Sequence, residues 1–328
     1  VEARTVLITG IGGNVAQGII RNIGTSGYPI RIVGTDTGEM SSGNHLVDAF
    51  YRIPYGYERD YIPAMIRIAQ AEQVDLIIPS TDYEVYALAL HREAFPCRIA
   101  CSGVESSRLY LDKYLSWQFH HHEGIAFAES CLPTHYRGEY DKAIAKPRKG
   151  RGARGIIRGI TDANGLSDDE YLIQREYEGT EITTAVYCCY SNRFLHGMIT
   201  MERTLENGTT VYCRVTRDYD STLKKIVTRM IEKTDLVGSF NIQSIVTRTG
   251  EVIPFEINCR ISGTNSIRSA FGFHDVRYTV DELLWNIQPD PVEVTDGIAY
   301  RMLIDVIYPE VSTDRDLKKN KKDIFLLF

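Results

Sequence analysis

The chain has 328 residues, more than one hydrophobic core usually holds, so two or three packed units are expected. A charged fraction of 24% with both signs mixed and a net charge of -6 exclude a nucleic-acid binder that relies on general basicity. No run is long enough to span a bilayer and the first residues enter an apolar strand without a signal-peptide pattern, so a cytoplasmic location with no membrane partner is expected.

Residues 4 to 101 alternate between strand and helix patterns. An apolar strand over 5–8 ends at Gly10, Gly12 and Gly13; helical spacing follows over 15–23, and a second strand over 30–33 ends near Asp36. After an irregular stretch come a helix over 61–71, a strand over 74–78, a helix over 83–91 and a short strand near Ile99. Strands separated by crossover helices imply a parallel sheet covered on both faces. The glycines at 10–13 resemble the start of a dinucleotide fingerprint, but Val15 occupies the third glycine position and Asp36 lies too near the turn. The loop therefore reads as a feature of the fold, and an NAD-linked oxidoreductase is a remote alternative.

Helical spacing continues over 105–123 with a break near Asp112, and the triple His120, His121, His122 reads as the exposed end of that helix. Short strands follow at 143–146 and 171–174, then long β-type runs at 180–190, 193–202 and 209–216. A helix over 219–233, strands at 239–247 and 251–258, helices within 265–285 and a late strand over 298–307 complete the pattern, and the charged tail 314–322 is expected to be solvated. Seven cysteines (Cys97, Cys101, Cys131, Cys188, Cys189, Cys213, Cys259) are odd in number and irregularly spaced, with no C-x-x-C pair, which reads as reduced buried thiols.

The strand over 251–260 carries the most chemistry. Ile253, Phe255, Ile257 and Cys259 alternate with Pro254, Glu256, Asn258 and Arg260, which predicts one apolar face and one polar face. Glu256 and Asn258 lie roughly 7 Å apart along the strand, so their oxygens can reach a common ion. A reversal centred on Thr249 and Gly250 would bring Gln243 of the preceding strand opposite Glu256. One carboxylate flanked by two carboxamides is a hard oxygen site of the kind that suits Mg²⁺. An ordinary hairpin with a polar outer face reads equally well at this point.

Two further segments point to phosphate and nucleotide. Lys146 ends a strand and leads into a loop rich in glycine and arginine, where freed backbone N–H groups can approach phosphate oxygens. Alone, such a loop is more often a solvated turn. Glu176 and Tyr177 join two strands where an adenine could lie against the backbone, with Glu181 able to accept from ribose hydroxyls.

In order along the chain, Leu111, Asp112 and Lys113, the Lys146 loop, the segment 174–181, and Gln243 with Glu256, Asn258 and Arg260 resemble the ATP-grasp superfamily. The likeness is closest to a single module of the carbamoyl phosphate synthase large subunit. It implies an α/β and α+β fold: a parallel-sheet, Rossmann-like pre-ATP-grasp domain (1–105), then an ATP-grasp domain with an N-terminal lobe (106–175) and a C-terminal lobe (176–328). The resemblance further implies that Lys113 and Lys146 bind the α- and β-phosphates and that the 150–155 loop, with Gly152 and Arg154, closes over the triphosphate. Glu176 and Tyr177 would hold adenine and Glu181 ribose. Gln243, Glu256 and Asn258 would hold two Mg²⁺, with Mn²⁺ as a substitute. Arg260, Lys146 and Arg203 would carry the catalysis, with Arg214 facing the same site. The family often has proline where this chain has Cys259.

The activity so implied is an ATP- and Mg²⁺-dependent ligase that turns a carboxylate into an acyl phosphate, passes it to an amine and releases ADP and phosphate. Its partners would be a small carboxylate and a small amine, with no nucleic acid; dimers are common in the family, which makes a homodimer a further expectation. Two alternatives stand beside it: an enzyme phosphorylating bicarbonate or carbamate, towards which Gln243 leans, and a non-catalytic ATP-binding sensor. Tyr83, Arg268 and the 203–214 region are expected to shape the substrate pocket.

Overall fold

A computed structural model describes residues 2–150, 154–308 and the strand 325–327. The first hundred residues build β1 (Arg4–Thr9), α1 (Asn14–Gly24), β2 (Ile30–Asp36), β3 (Ala49–Arg52), α2 (Tyr61–Ala71), β4 (Leu76–Ile78), α3 (Asp82–Leu90) and β5 (Arg98–Ile99). The five strands form a parallel sheet in the order β3-β2-β1-β4-β5. Alternation along β1 divides its side chains between two cores: Val6 and Ile8 pack with Ile19, Ile20 and Ile23 of α1, while Leu7 packs with Tyr61 and Met65 of α2 and Leu88 of α3. The irregular stretch expected after β2 contains β3, a four-residue edge strand in which no residue is fully buried, so no period marks it.

Next come α4 (Val104–Leu111) and α5 (Lys113–His122), separated by Asp112, whose carboxylate accepts from the N–H of Tyr114 and Leu115 and caps α5. A four-stranded sheet follows, built from β6 (Ser130–Cys131), β7 (Ala143–Pro147), β8 (Ile157–Arg158) and β9 (Tyr171–Arg175) in the order β6-β9-β7-β8.

A six-stranded sheet holds most of the rest. β10 (Gly179–Cys188), β11 (Leu195–Glu206) and β12 (Thr209–Thr216) lead to α6 (Asp220–Lys233), and β13 (Gly238–Thr247) pairs with β14 (Val252–Asn258). After α7 (Asn265–Ala270) and α8 (Asp275–Val280), β15 (Ile298–Tyr300) completes the order β14-β13-β10-β11-β12-β15. Among the described residues β16 (Asp305–Ile307) pairs only with β17 (Phe325–Leu327), so the single late strand expected over 298–307 is two strands in different sheets. The charged tail 314–322 lies outside the described residues.

α8 returns to the first sheet, where Val276 and Val280 join the α1 core. Chain contributed some 270 residues later thus seals the face that α1 alone leaves partly open. His120 is fully buried against Tyr110, Phe119 and Phe127, not exposed as its position near a helix end suggested; burial drives its ring to about 4. All seven cysteines are free thiols, five buried and two half-buried. No helix among the described residues is long and apolar enough to cross a membrane.

Candidate active site

The hairpin of β13 and β14 sets the centre of the site. Thr247 and Glu251 pair across three residues, with Gly250 at φ +83 donating its N–H to Thr247. This reversal is one residue wider than a turn centred on Thr249 and Gly250. Val246 therefore faces Val252, Ile245 faces Ile253 and Ser244 faces Pro254. A bulge at Phe255 then inserts one residue, and Gln243 faces Glu256 as expected.

The bulge also changes which side chains share a face. Val252 packs into the core with Ile182 and Leu223, whereas Ile253 and Phe255 line the cleft beside Glu256, Asn258 and Arg260. The uniform alternation expected for this strand, with Ile253 and Phe255 on the buried face, is thus broken: an inserted residue reverses the side-chain period on one side of itself. Ile257 and Cys259, beyond the bulge, do enter the core.

A single chain of donors crosses the sheet. Arg203 of β11 donates to Gln243 Oε1 at 2.6 Å; Gln243 donates to Asn258 Oδ1 at 3.1 Å; Asn258 donates to Glu256 Oε1 at 3.2 Å. The same guanidinium gives two bonds to Glu181 of β10, at 2.6 and 3.0 Å. Burial alone would raise the Glu256 carboxyl, but Lys113, Lys146, the Asn258 bond and Arg260 together hold it below the ordinary carboxylate value. Arg260 is itself oriented by Asp82 at the start of α3, 2.8 Å away.

The smaller sheet supplies the facing wall. Lys146 is buried, donates to Gln174 Oε1 at 2.6 Å and stands 4.5 Å from the centre of the Phe255 ring. Gln174 passes its own N–H to Ser130 at 3.1 Å. Burial lowers Lys146 to about 8, against the opposing pull of Glu256. The Lys113 ammonium lies 3.4 Å from the Gly150 carbonyl. Glu176 forms an ion pair with Arg158, and Arg175 stacks over Tyr177 at 5.3 Å.

These side chains, Lys113 excepted, enclose a cleft of about 760 Å³ between the two later sheets and the C-terminal edge of the first. Lys146, Arg154, Glu176, Tyr177, Glu181, Arg203, Gln243, Glu256, Asn258 and Arg260 all line it. Gly152 lies outside the described residues. Arg214 points away and pairs with Glu202 at 2.9 Å. Of the residues expected to shape the pocket, Tyr83 lines it, but Arg268 does not: it is fully buried in an ion pair with Asp275 at 2.5 Å. Asp36 accepts from the N–H of Gly12 at 2.7 Å and of Thr37 at 2.7 Å, so its carboxylate occupies the glycine loop itself. Phe255, Gln174, Asp82 and the pair Asp112–Arg148 were not singled out by sequence. Asp112 stood there as a helix break and beside Lys113, Gln174 as the first residue of the 174–181 segment and Phe255 as part of the apolar alternation, none of them with a role in the site.

Residues 6–100 match the PylC-like N-terminal domain family. No curated protein matches the chain. Among solved structures, N5-carboxyaminoimidazole synthetase from Staphylococcus aureus complexed with ADP superposes with a TM-score of 0.73 at 14% identity, over 92% of this chain and 82% of that one. N5-carboxyaminoimidazole ribonucleotide synthetase from Thermotoga maritima gives 0.68 at 15%, over 93% and 84%. The biotin carboxylase domain of Hydrogenobacter thermophilus 2-oxoglutarate carboxylase, a dimer in complex with ADP, its magnesium salt and bicarbonate, gives 0.70 at 14%, over 90% and 73%. Both halves of the architecture expected from sequence, the parallel sheet and the antiparallel lobes after it, are present. The chain has the ATP-grasp fold, and its residues 6–100 are similar to the PylC-like N-terminal domain.

Proposed function

We propose that this protein is an ATP- and Mg²⁺-dependent carboxylate–amine ligase, built of units at 1–105, 106–175 and 176–328. The observation that carries the reading is the Glu256 centre: one ionised carboxylate, extended by two carboxamides, in a cleft walled by Lys146, Arg203 and Arg260. So much positive charge around one carboxylate suits a polyanion with its counter-ion.

The donor set fits magnesium. Glu256 offers a carboxylate, and the Gln243 and Asn258 carbonyl oxygens each keep a lone pair beyond the bond they already accept. Two bound ions would neutralise charge on the phosphoryl oxygens, and Mn²⁺ would serve in their place. Adenine is assigned to the wall at Glu176 and Tyr177, and ribose to Glu181, which Arg203 holds in place. Lys113 and Lys146 are assigned to the phosphates, and closure over the triphosphate to the 150–155 loop.

In this reading the substrate carboxylate attacks the γ-phosphorus in line, and ADP departs. Lys146, Arg203 and Arg260 balance the charge that spreads over the transferred group. The resulting acyl phosphate is attacked by an amine, the C–O bond to phosphate breaks and phosphate leaves. Water must be kept out until then, a task for the Lys146 loop. No protein nucleophile is needed, which agrees with thiols raised by burial, such as Cys97 at about 11 and Cys188 at about 12.

A second reading, phosphorylation of bicarbonate or carbamate, draws support from Gln243 where an acid could stand and from the bicarbonate bound by one structural neighbour. Release of ADP and phosphate is to be followed with pooled carboxylates and amines, with bicarbonate alone, and with and without Mg²⁺. Turnover that needs an organic carboxylate supports the ligase; turnover with bicarbonate alone supports the second reading; metal-independent turnover rejects both.

A further inference from the structure

The wall of the cleft changes sign along its length. The part contributed by residues 10–84 carries three carboxylates, Asp36, Asp82 and Glu84, and among the described residues no lysine or arginine. The rest of the wall supplies six cations, Lys146, Arg154, Arg158, Arg175, Arg203 and Arg260, against three carboxylates, Glu176, Glu181 and Glu256, and so is basic on balance. The acidic end also bears a tyrosine shelf. Tyr55 and Tyr57 stack with ring centres 5.4 Å apart and planes within 3°, and Tyr83 meets Tyr57 edge-on at 5.4 Å. Tyr57 is 65% exposed and Tyr55 39%, so both keep surface available inside the cleft.

The glycine loop closes the obvious route for an anion at this end. Gly12 donates its N–H to Asp36 at 2.7 Å and Gly13 donates to the Gly10 carbonyl at 2.9 Å. A phosphate brought to the loop would meet a carboxylate in place of donors. Asp82 is balanced by Arg260, and Glu84 is buried beneath the hydroxyls of Thr9 and Thr81. The negative features left for a ligand are the Asp36 carboxylate and the π faces of Tyr55 and Tyr57, and both attract cations.

We propose, resting on the ligase reading, that this end is the subsite for the acceptor and that it takes a cationic amine bearing no phosphate. The nucleotide occupies the basic end, and the ammonium of the acceptor lies against Tyr57 and Asp36 at the other. The cleft thus sorts its two substrates by charge.

Ligand-observed NMR with two probe pools tests this directly. One pool holds 1,4-diaminobutane, agmatine and glycinamide; the other holds O-phosphoethanolamine, glucosamine 6-phosphate and pyridoxamine 5'-phosphate. Both are run with and without MgADP. Signal transfer is expected from the first pool only, with affinity at least tenfold weaker in Tyr57→Ala and in Asp36→Asn. Tyr57 is the more exposed of the two, so a melting temperature within a few degrees of the parent will show that its variant folds. Binding confined to the phosphorylated pool, no binding from either pool, or affinities within twofold of the parent in both variants would each overturn the proposal. MgADP titrated separately keeps the two readings apart: amine binding without nucleotide binding sinks the ligase, and nucleotide binding without amine binding sinks the subsite.

Discussion

Asp112 holds Arg148 with contacts of 2.7 and 3.1 Å while it caps the helix that begins at Lys113. One carboxylate thereby fixes both the lysine that points at the Gly150 carbonyl and the residue that opens the glycine-rich loop. Asp112→Asn keeps a capping oxygen but removes the charge opposite a guanidinium that is only 17% exposed. The expected cost is about 3 kcal/mol of stability, the size typical when one partner of a buried pair is lost. Urea denaturation measures it, and a change below about 0.5 kcal/mol would mean the pair is merely superficial.

Glu256→Gln is expected to cut Mg²⁺-dependent ADP release by roughly 100-fold or more. The carboxamide can still accept from Asn258, so the melting temperature should move little. Turnover within threefold of the parent would remove Glu256 from the metal site.

Lys146 carries its full charge only below about 8. If that charge binds phosphate, nucleotide affinity falls as pH rises through 8, because the neutral amine has lost its attraction. Calorimetric titration of ADP at pH 7 and pH 9 should show the weakening in the parent and not in Lys146→Met, whose affinity is already low. A flat profile in the parent would contradict the assignment.

His120 gives an acid response of opposite origin. Its folded value of about 4 lies below the unfolded 6.5, so the native state refuses a proton that the unfolded chain accepts. The stability involved is fully present above 6.5 and is lost as pH falls towards 4, about 3 kcal/mol in all. His120→Phe should flatten the melting temperature between pH 7 and pH 4.5 relative to the parent. An unchanged slope would show that other groups govern acid unfolding.

Arg203→Lys keeps the charge but cannot donate to Glu181 and Gln243 from one planar group. The KM for ATP is expected to rise about tenfold, and steady-state kinetics would expose an Arg203 that is dispensable by showing no rise.

The sequence alone determined the pieces that depend on local pattern. Apolar period marked α2 at its true bounds and divided α4 from α5 at Asp112, while the expected pairing of Gln243 with Glu256 is reached through a wider turn offset by the bulge. These features depend on neighbours within a few residues or across one turn, where sterics and hydrogen bonding act without knowledge of the rest of the chain. The candidate site was legible to the same extent: nearly all its described residues, singled out on strands or at strand ends, meet in one cleft.

What only the tertiary structure decided lies where distant segments compete for one place. The bulge that turns Phe255 towards Lys146 arises from sheet pairing, and a period count cannot register an inserted residue. Asp82 meets Arg260 across 178 positions, Arg268 turns inward to Asp275, and Phe127 covers His120, each because packed elements leave that partner as the one within reach. Long-range pairing is fixed by how sheets and helices stack, and the energy that selects it belongs to the assembled core, not to any stretch of sequence.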